Sequence, residues 1–581
     1  MHPGSGGSGS SGNVQRWRRI TTAFLLAALS LPGLAERGAD GKPRQPAKAT
    51  PPAAKTPEPP KPALKLPTVS VAAEEVRRHA RALAAIATDS ALNDSERGHR
   101  TQNYIAEQLY ESGLAPGGDG EHGTAGFAQA VALQGQRSGL RGRPRFVGTS
   151  TTVPVQITVA PRELVLFSTL PQPEVTVTES ELLFLGYGIT AAERGWDDYK
   201  GIDVRGKTVL LLDGMPRELA GSGPALRGAA RYPQKFAEAL RRGATGALLI
   251  HNQDRAEHSL DALRAYFGSE RRLAPLARDG TALQVAGYVH DEAARRLLQA
   301  GGQDLEAQQQ AAESREFTPL SLRVRMTAQV QNQTRSLDGA NLVGILAGAD
   351  EEARGEAVVI STHVDHLSTI ADGAGGQLTL PGVRERLLGV AGLLALAQAT
   401  RQQPPPRRSL IFAVLSGHSE AFVGAQRLLK RLPSPAQRVV AQLNLDALSG
   451  GDGSAQIVQI GRGKSTLDEL LDQAAAVAAR TVMTEGQPGR GLLYRSDSLA
   501  FARAGIPVLF LAPPDLDQFL TSDYLRPSDT LRDSFTFVGA AADCTFVYQL
   551  GWLIGNARTL PYYLPGDEFA PRGTPAAATA P

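Results

Sequence analysis

The chain has one cysteine, Cys544, in 581 residues. That excludes an intramolecular disulfide and any zinc site built on thiolates. It has no basic patch pointing to a nucleic-acid partner: Lys and Arg number 61 against 58 Asp and Glu, a formal charge of +3. Arg16, Arg18 and Arg19 lie in Met1–Ala35, which contains no acid, so a chain without that segment is close to neutral. The N-terminal apolar run ITTAFLLAALSLPGLA is about 15 residues, short of the roughly 20 that a spanning helix needs. No cysteine stands at its end, which argues against a lipid anchor there. The sequence shows no internal repeat.

What is present is ordinary globular material, 42% hydrophobic and 20% charged, with enough length for two domains and tails. RWRR, the apolar run and Gly33-Leu34-Ala35 have the order of a positive region, a hydrophobic region and a small-x-small cleavage site. Residues 1–35 are therefore expected to be an export signal. The protein would be periplasmic or secreted, or membrane-tethered if the signal stays uncleaved. Residues 36–68, rich in Pro, Ala and Lys, read as an extended linker. Order is expected from Val69, where VAAEEVRRHARALAAIA and HRTQNYIAEQLYESGL carry apolar residues at helical spacing. Residues 563–581 read as a disordered tail.

Between about 175 and 325 the chain alternates short β-rich runs with helical ones. ELLFLGYGI, KTVLLLDG and GALLIHN are strand-like, and LQVAGYVHDEAARRLLQAGG steps from strand to helix. His251 and His290 end apolar runs and read as core or capping residues. From Leu342 onward, EAVVISTHV, RSLIFAVLSG, AQLNLDAL and GIPVLFLAP are near-continuous apolar strands separated by segments of helical period. This pattern specifies an α/β fold with a mostly parallel, doubly wound sheet. Ligands of such sheets bind beyond the carboxyl ends of the strands. His363, His418, Ser419 and Asp446 all fall there.

THVDH, PGVRERLLG, LSGHSEAF, QLNLDAL, YRSDS and SDYLRPSDT, together with LFLGYGITAAERGWDDYKGIDVRGKTVLLLDG, carry a family likeness. From Val69 to Tyr562 the chain resembles the zinc aminopeptidases and glutamate-carboxypeptidase-like peptidases with an inserted protease-associated domain. The resemblance implies a zinc-exopeptidase-like (phosphorylase/hydrolase-like) fold. It divides the chain into a peptidase-like part at 69–174 and 326–562 and a β-rich insert at 175–325. It also implies two zinc ions sharing one carboxylate, with a Glu as general base.

Position by position, the resemblance places the first zinc's ligands at His363, Glu385 and Asp446, with Asp365 orienting the imidazole. Glu385 is a methylene longer than the family's Asp and is flanked by Arg384 and Arg386. The second zinc's remaining ligand positions hold Ser419, a weak neutral donor, and Leu525, which has no lone pair. His418 stands where the catalytic Glu should be, and Ser498 where a His is usual. At most one zinc is expected, and none if the site is inert. The expected function is a non-catalytic homologue that binds a peptide or protein. One alternative is a one-metal aminopeptidase using His363, Glu385 and Asp446 with His418 as base. Another is a serine hydrolase using Ser419 in Gly417-His418-Ser419-Glu420-Ala421; because no histidine follows His418, it would need an unusual order of catalytic residues.

Overall fold

A computed structural model describes residues 64–149, 154–220, 232–252, 259–273, 282–365, 369–371, 377–401, 403–418 and 422–571. The expected signal, most of the linker and Ser419 lie outside the described residues.

Two helices open the fold, α1 (Ala73–Thr88) and α2 (Asp94–Glu111). In α1, Val76, Ala80, Leu83 and Ala84 form a buried stripe. α2 begins with a capping box: the Asn93 side chain accepts from the Glu96 amide, and Glu96 accepts from the Asn93 amide. It ends just before Gly113, whose φ of +77° is the left-handed turn that glycine allows.

The next strands are β1 (Ala128–Gly148), β2 (Leu164–Phe167), β3 (Glu174–Phe184) and β4 (Thr208–Leu212). Then come α3 (Tyr232–Arg241), β5 (Gly246–His251), β6 (Arg271–Leu273), β7 (Val285–His290), α4 (Asp291–Ala300) and β8 (Leu320–Leu346). β3, β4, β5 and β7 run parallel in that order, with β8 antiparallel at one end and β2 at the other. His290 is the N-cap of α4, accepting from the Glu292 amide at 3.2 Å. The expected domain boundary at residue 175 cuts through one of the two cores of this half. Phe146, Ile157, Val159, Leu164 and Leu166 pack with Leu182, Leu210, Leu248 and Val324. The second core crosses the same boundary, with Val165 and Phe167 packed against Leu183, Val209 and Leu249.

β8 continues into a second set: β9 (Glu356–His363), α5 (Leu388–Thr400), β10 (Ser409–Leu415), α6 (Val423–Lys430) and β11 (Arg438–Asn444). α7 (Ser498–Arg503), β12 (Val508–Ala512) and α8 (Val538–Asn556) follow. β10, β9, β11 and β12 are neighbours in that order and all parallel, and β8 pairs antiparallel with β10. The strands are buried on both faces because alternate residues enter different cores. Leu410, Phe412 and Val414 meet α1, α5 and α8, whereas Ile411, Ala413 and Leu415 meet α6 and Phe501. A continuous apolar run is the sequence consequence.

The C-terminal segment corrects one expectation. Residues 563–571 are packed rather than a free tail. Tyr563 and Phe569 are 4% and 9% exposed, in a core with Leu493 and Phe519. Lys464 pairs with Asp567 and Glu568 at 3.2 and 2.7 Å.

Candidate active site

The carboxyl ends of β9, β10 and β11 deliver His363, the Ser416–His418 turn and Asp446 to one place. All are buried. His363 lies between two carboxylates, with Nδ1 3.0 Å from Asp446 Oδ1 and Nε2 3.1 Å from Glu385 Oε1. Burial alone would lower its pKa, but the charges of Asp446 and Glu385 and their hydrogen bonds outweigh it and hold it well above the usual value. The ring is thus an imidazolium between two carboxylates. Asp446 also accepts from Thr362 Oγ1 at 2.9 Å and Asn444 Nδ2 at 2.8 Å.

Glu385 stands in a single π-helical turn, Val383–Leu387, that leads into α5. Asp529 fixes that turn by accepting the Arg384 and Glu385 amides at 2.9 and 3.1 Å. Burial, with the Glu385 charge adding to it, pushes the Asp529 carboxyl up to about 6 despite those bonds. Both flanking arginines turn inward. Arg386 is buried, 3.7 Å from Glu385, and donates to the carbonyls of Val364, Leu380 and Pro381. Arg384 pairs with Asp515 at 3.0 Å and lies over the Phe519 ring.

His418 stacks on His363, with ring centroids 3.7 Å apart and planes within 10°. Its Nδ1 is 2.6 Å from Asp497 Oδ2. Asp365 does not hold the His363 imidazole as the resemblance implied, since Asp446 and Glu385 occupy both ring nitrogens. Instead it accepts from Ser416 Oγ and the Gly417 amide and pairs with Arg272 at 3.3 Å. Arg272 comes from β6, which hydrogen-bonds to β1, so the β-rich half reaches directly into the site. Leu525 is half-buried and offers no donor atom; its φ of +55° is an unusual conformation for a branched side chain.

Residues 341–538 match the family model described as peptidase family M28. This segment is a peptidase family M28 domain. Among solved structures, the fold is similar to an aminopeptidase from Aneurinibacillus sp. strain AM-1. The TM-score is 0.50 at 17% identity, over 86% of this chain and 95% of that one. A peptidase M28 precursor from Shewanella amazonensis SB2B matches at a TM-score of 0.40 and 15% identity, over 84% and 98%. A zinc aminopeptidase from Bacillus subtilis matches at 0.39 and 12%, over 85% and 95%. At such identities the likeness speaks to fold alone. No curated protein matches the sequence.

The M28 family is zinc-dependent, and that ion sets a geometric condition on the donors. A tetrahedral zinc needs its donors to converge at about 2.0–2.2 Å. Glu385 and Asp446 sit on opposite edges of the His363 ring and cannot share a shell that also includes one of its nitrogens. Among the described residues, His363, His418 and Asp497 form the one three-donor cluster, their donor atoms lying within 4.8 Å of one another. Its two imidazoles are parallel, however. An ion in the plane of one ring, about 2 Å from its nitrogen, lies far out of the plane of the other. As arranged, the described residues do not fit a zinc shell.

Two of these contributors were legible only in part. Asp497 lies in YRSDS, which carries family likeness but no sign of its partner, and the structure pairs it with His418. Arg272 carries no local signal, because its role depends on how β6 docks.

Proposed function

We propose that this chain is an exported, non-catalytic member of the M28 peptidase fold that binds a peptide or protein, with residues of its β-rich half acting as a protease-associated insert. The observation that carries this reading is the His363 ion triad. Both ring nitrogens of His363 are taken by carboxylates, and Arg386 adds a second protein cation beside Glu385. The positive charge that a dinuclear centre would supply is provided by the protein itself. Leu525 at a ligand position and His418 in place of the carboxylate base agree with it.

The test is hydrolysis of a panel of aminoacyl nitroanilides by the full chain, with and without added zinc, beside binding to immobilised peptides. The reading expects binding without turnover. Zinc-stimulated, chelator-sensitive turnover that is lost in His418→Ala would replace it with the one-metal aminopeptidase. The donor cluster of His363, His418 and Asp497 is the observation on that side.

A further inference from the structure

We propose that a cavity of about 260 Å³ between the β-rich half and the C-terminal half is a subsite for a small zwitterion, a dipeptide with free amino and carboxyl ends. The inference rests on the peptide-binding reading above and adds the ligand class and the place. The cavity is lined by Gln234 and Glu238 of α3 on one side and by Tyr494, Arg503, Glu568 and Phe569 on the other. It is slightly smaller than the roughly 300–1,000 Å³ that holds drug-sized ligands, which suits one or two residues.

Three features define the occupant. Gln234 Oε1 is buried and has no hydrogen-bond partner among the described residues. A buried acceptor left unsatisfied costs about 1–3 kcal/mol, so it calls for a donor. Two carboxylates also line the cavity, Glu238 on the same helix and Glu568 on the other side. Glu238 accepts from Arg241, Arg242 and Thr190, and Glu568 accepts from Lys464 and Tyr494. Gln234 and Glu238, four residues apart on one helix, make a place for an ammonium group. The second feature is Arg503, an exposed guanidinium on the cavity wall that makes no ion pair or hydrogen bond among the described residues. A free guanidinium recognises a carboxylate in a forked geometry. The third is the pair of rings of Tyr494 and Phe569, 6.2 Å apart at 39°, which gives an apolar side chain a wall. A donor-seeking acceptor beside an acid, a spare cation on the opposite wall and an aromatic wall together match a dipeptide from its ammonium to its carboxylate.

The cavity is also connected to the candidate site. Tyr494 and Leu499 bracket Asp497, the residue that holds His418, so an occupant rests against the turn that positions that imidazole.

The test is calorimetric titration of the full chain with a panel of Xaa-Ala dipeptides, with their N-acetyl and C-amide forms as probes. Aromatic dipeptides are expected to bind, and either blocked form to bind at least about tenfold more weakly. Arg503→Ala should weaken the free dipeptide by a similar factor and leave the C-amide unchanged; Arg503→Lys should recover part of the loss. Gln234→Ala should leave the N-acetyl form unchanged. No binding by any dipeptide, or binding indifferent to Arg503→Ala, overturns the subsite. If longer peptides still bind with Arg503 replaced, the subsite fails and the peptide-binding reading stands. If no peptide binds at all, that reading fails as well.

Discussion

Asp446→Asn separates an internally neutralised site from a metal site, because the two predict opposite signs. In a metal centre without its ion, the ligand carboxylates repel one another, and neutralising one relieves the fold. Here Asp446 faces an imidazolium at 3.0 Å and also accepts from Thr362 and Asn444. It is 6% exposed and His363 is 3% exposed, so solvent screens the pair little. Removing one partner of such a buried pair costs about 3–5 kcal/mol. Asn keeps the shape and part of the hydrogen bonding, which favours the lower end, about 3 kcal/mol. The assay is thermal and denaturant unfolding of chelator-treated protein, comparing wild type, Asp446→Asn, His363→Gln and the double variant. The single variants should each unfold earlier, and the double variant should cost less than their sum by at least about 1 kcal/mol. An Asp446→Asn variant as stable as wild type or more stable, with a wild type that gains stability from zinc, would refute the reasoning.

Three further outcomes follow from the same structure. Arg272→Ala strips the buried Asp365 of its cation; because Arg272 is a quarter exposed, the loss should be about 2 kcal/mol, read from unfolding midpoints. Asn93→Ala removes a capping box and should cost about 1 kcal/mol by the same measurement. Asp198 is buried and, although it accepts from the Ile189 amide and Trp196 Nε1, burial raises its carboxyl to about 6. A folded pKa above the unfolded value near 3.9 means the folded state holds more protons between those values. Its contribution should therefore fall as pH rises from about 4 to 6, and Asp198→Asn should flatten that part of the stability–pH curve.

How much of this was legible in the sequence depends on the range of the interaction. The apolar runs around Ile360, Phe412 and Leu443 announce strands buried on both faces, and their carboxyl ends place His363, His418 and Asp446 together. Those are local patterns. The contacts of the His363 ring are not local, because they depend on which way an imidazole turns among carboxylates that arrive from β11 and from the turn before α5. Arg272 approaches from β6 and Asp529 from a loop more than 140 residues beyond Glu385. Arg272 has no sequence signal stronger than an ordinary surface charge, and Asp529, although it stands in SDYLRPSDT, gives no local sign of the turn it holds. The extent of the β-rich half and of the C-terminal segment is hard to see in the sequence for a different reason. Average composition changes gradually there, and single residues decide: Phe146 and Leu164 enter the core of the β-rich half, and Tyr563 and Phe569 hold the C-terminal segment down.

The measurement that bears most directly on the central claim is zinc per chain, by mass spectrometry of the full protein after zinc loading and dialysis. The ion triad at His363 predicts a value near zero, with an unfolding midpoint that neither zinc nor chelator moves. A stoichiometry of one or two held through dialysis would contradict it, and would mean that Glu385 and Asp446 swing onto a metal that displaces the His363 proton.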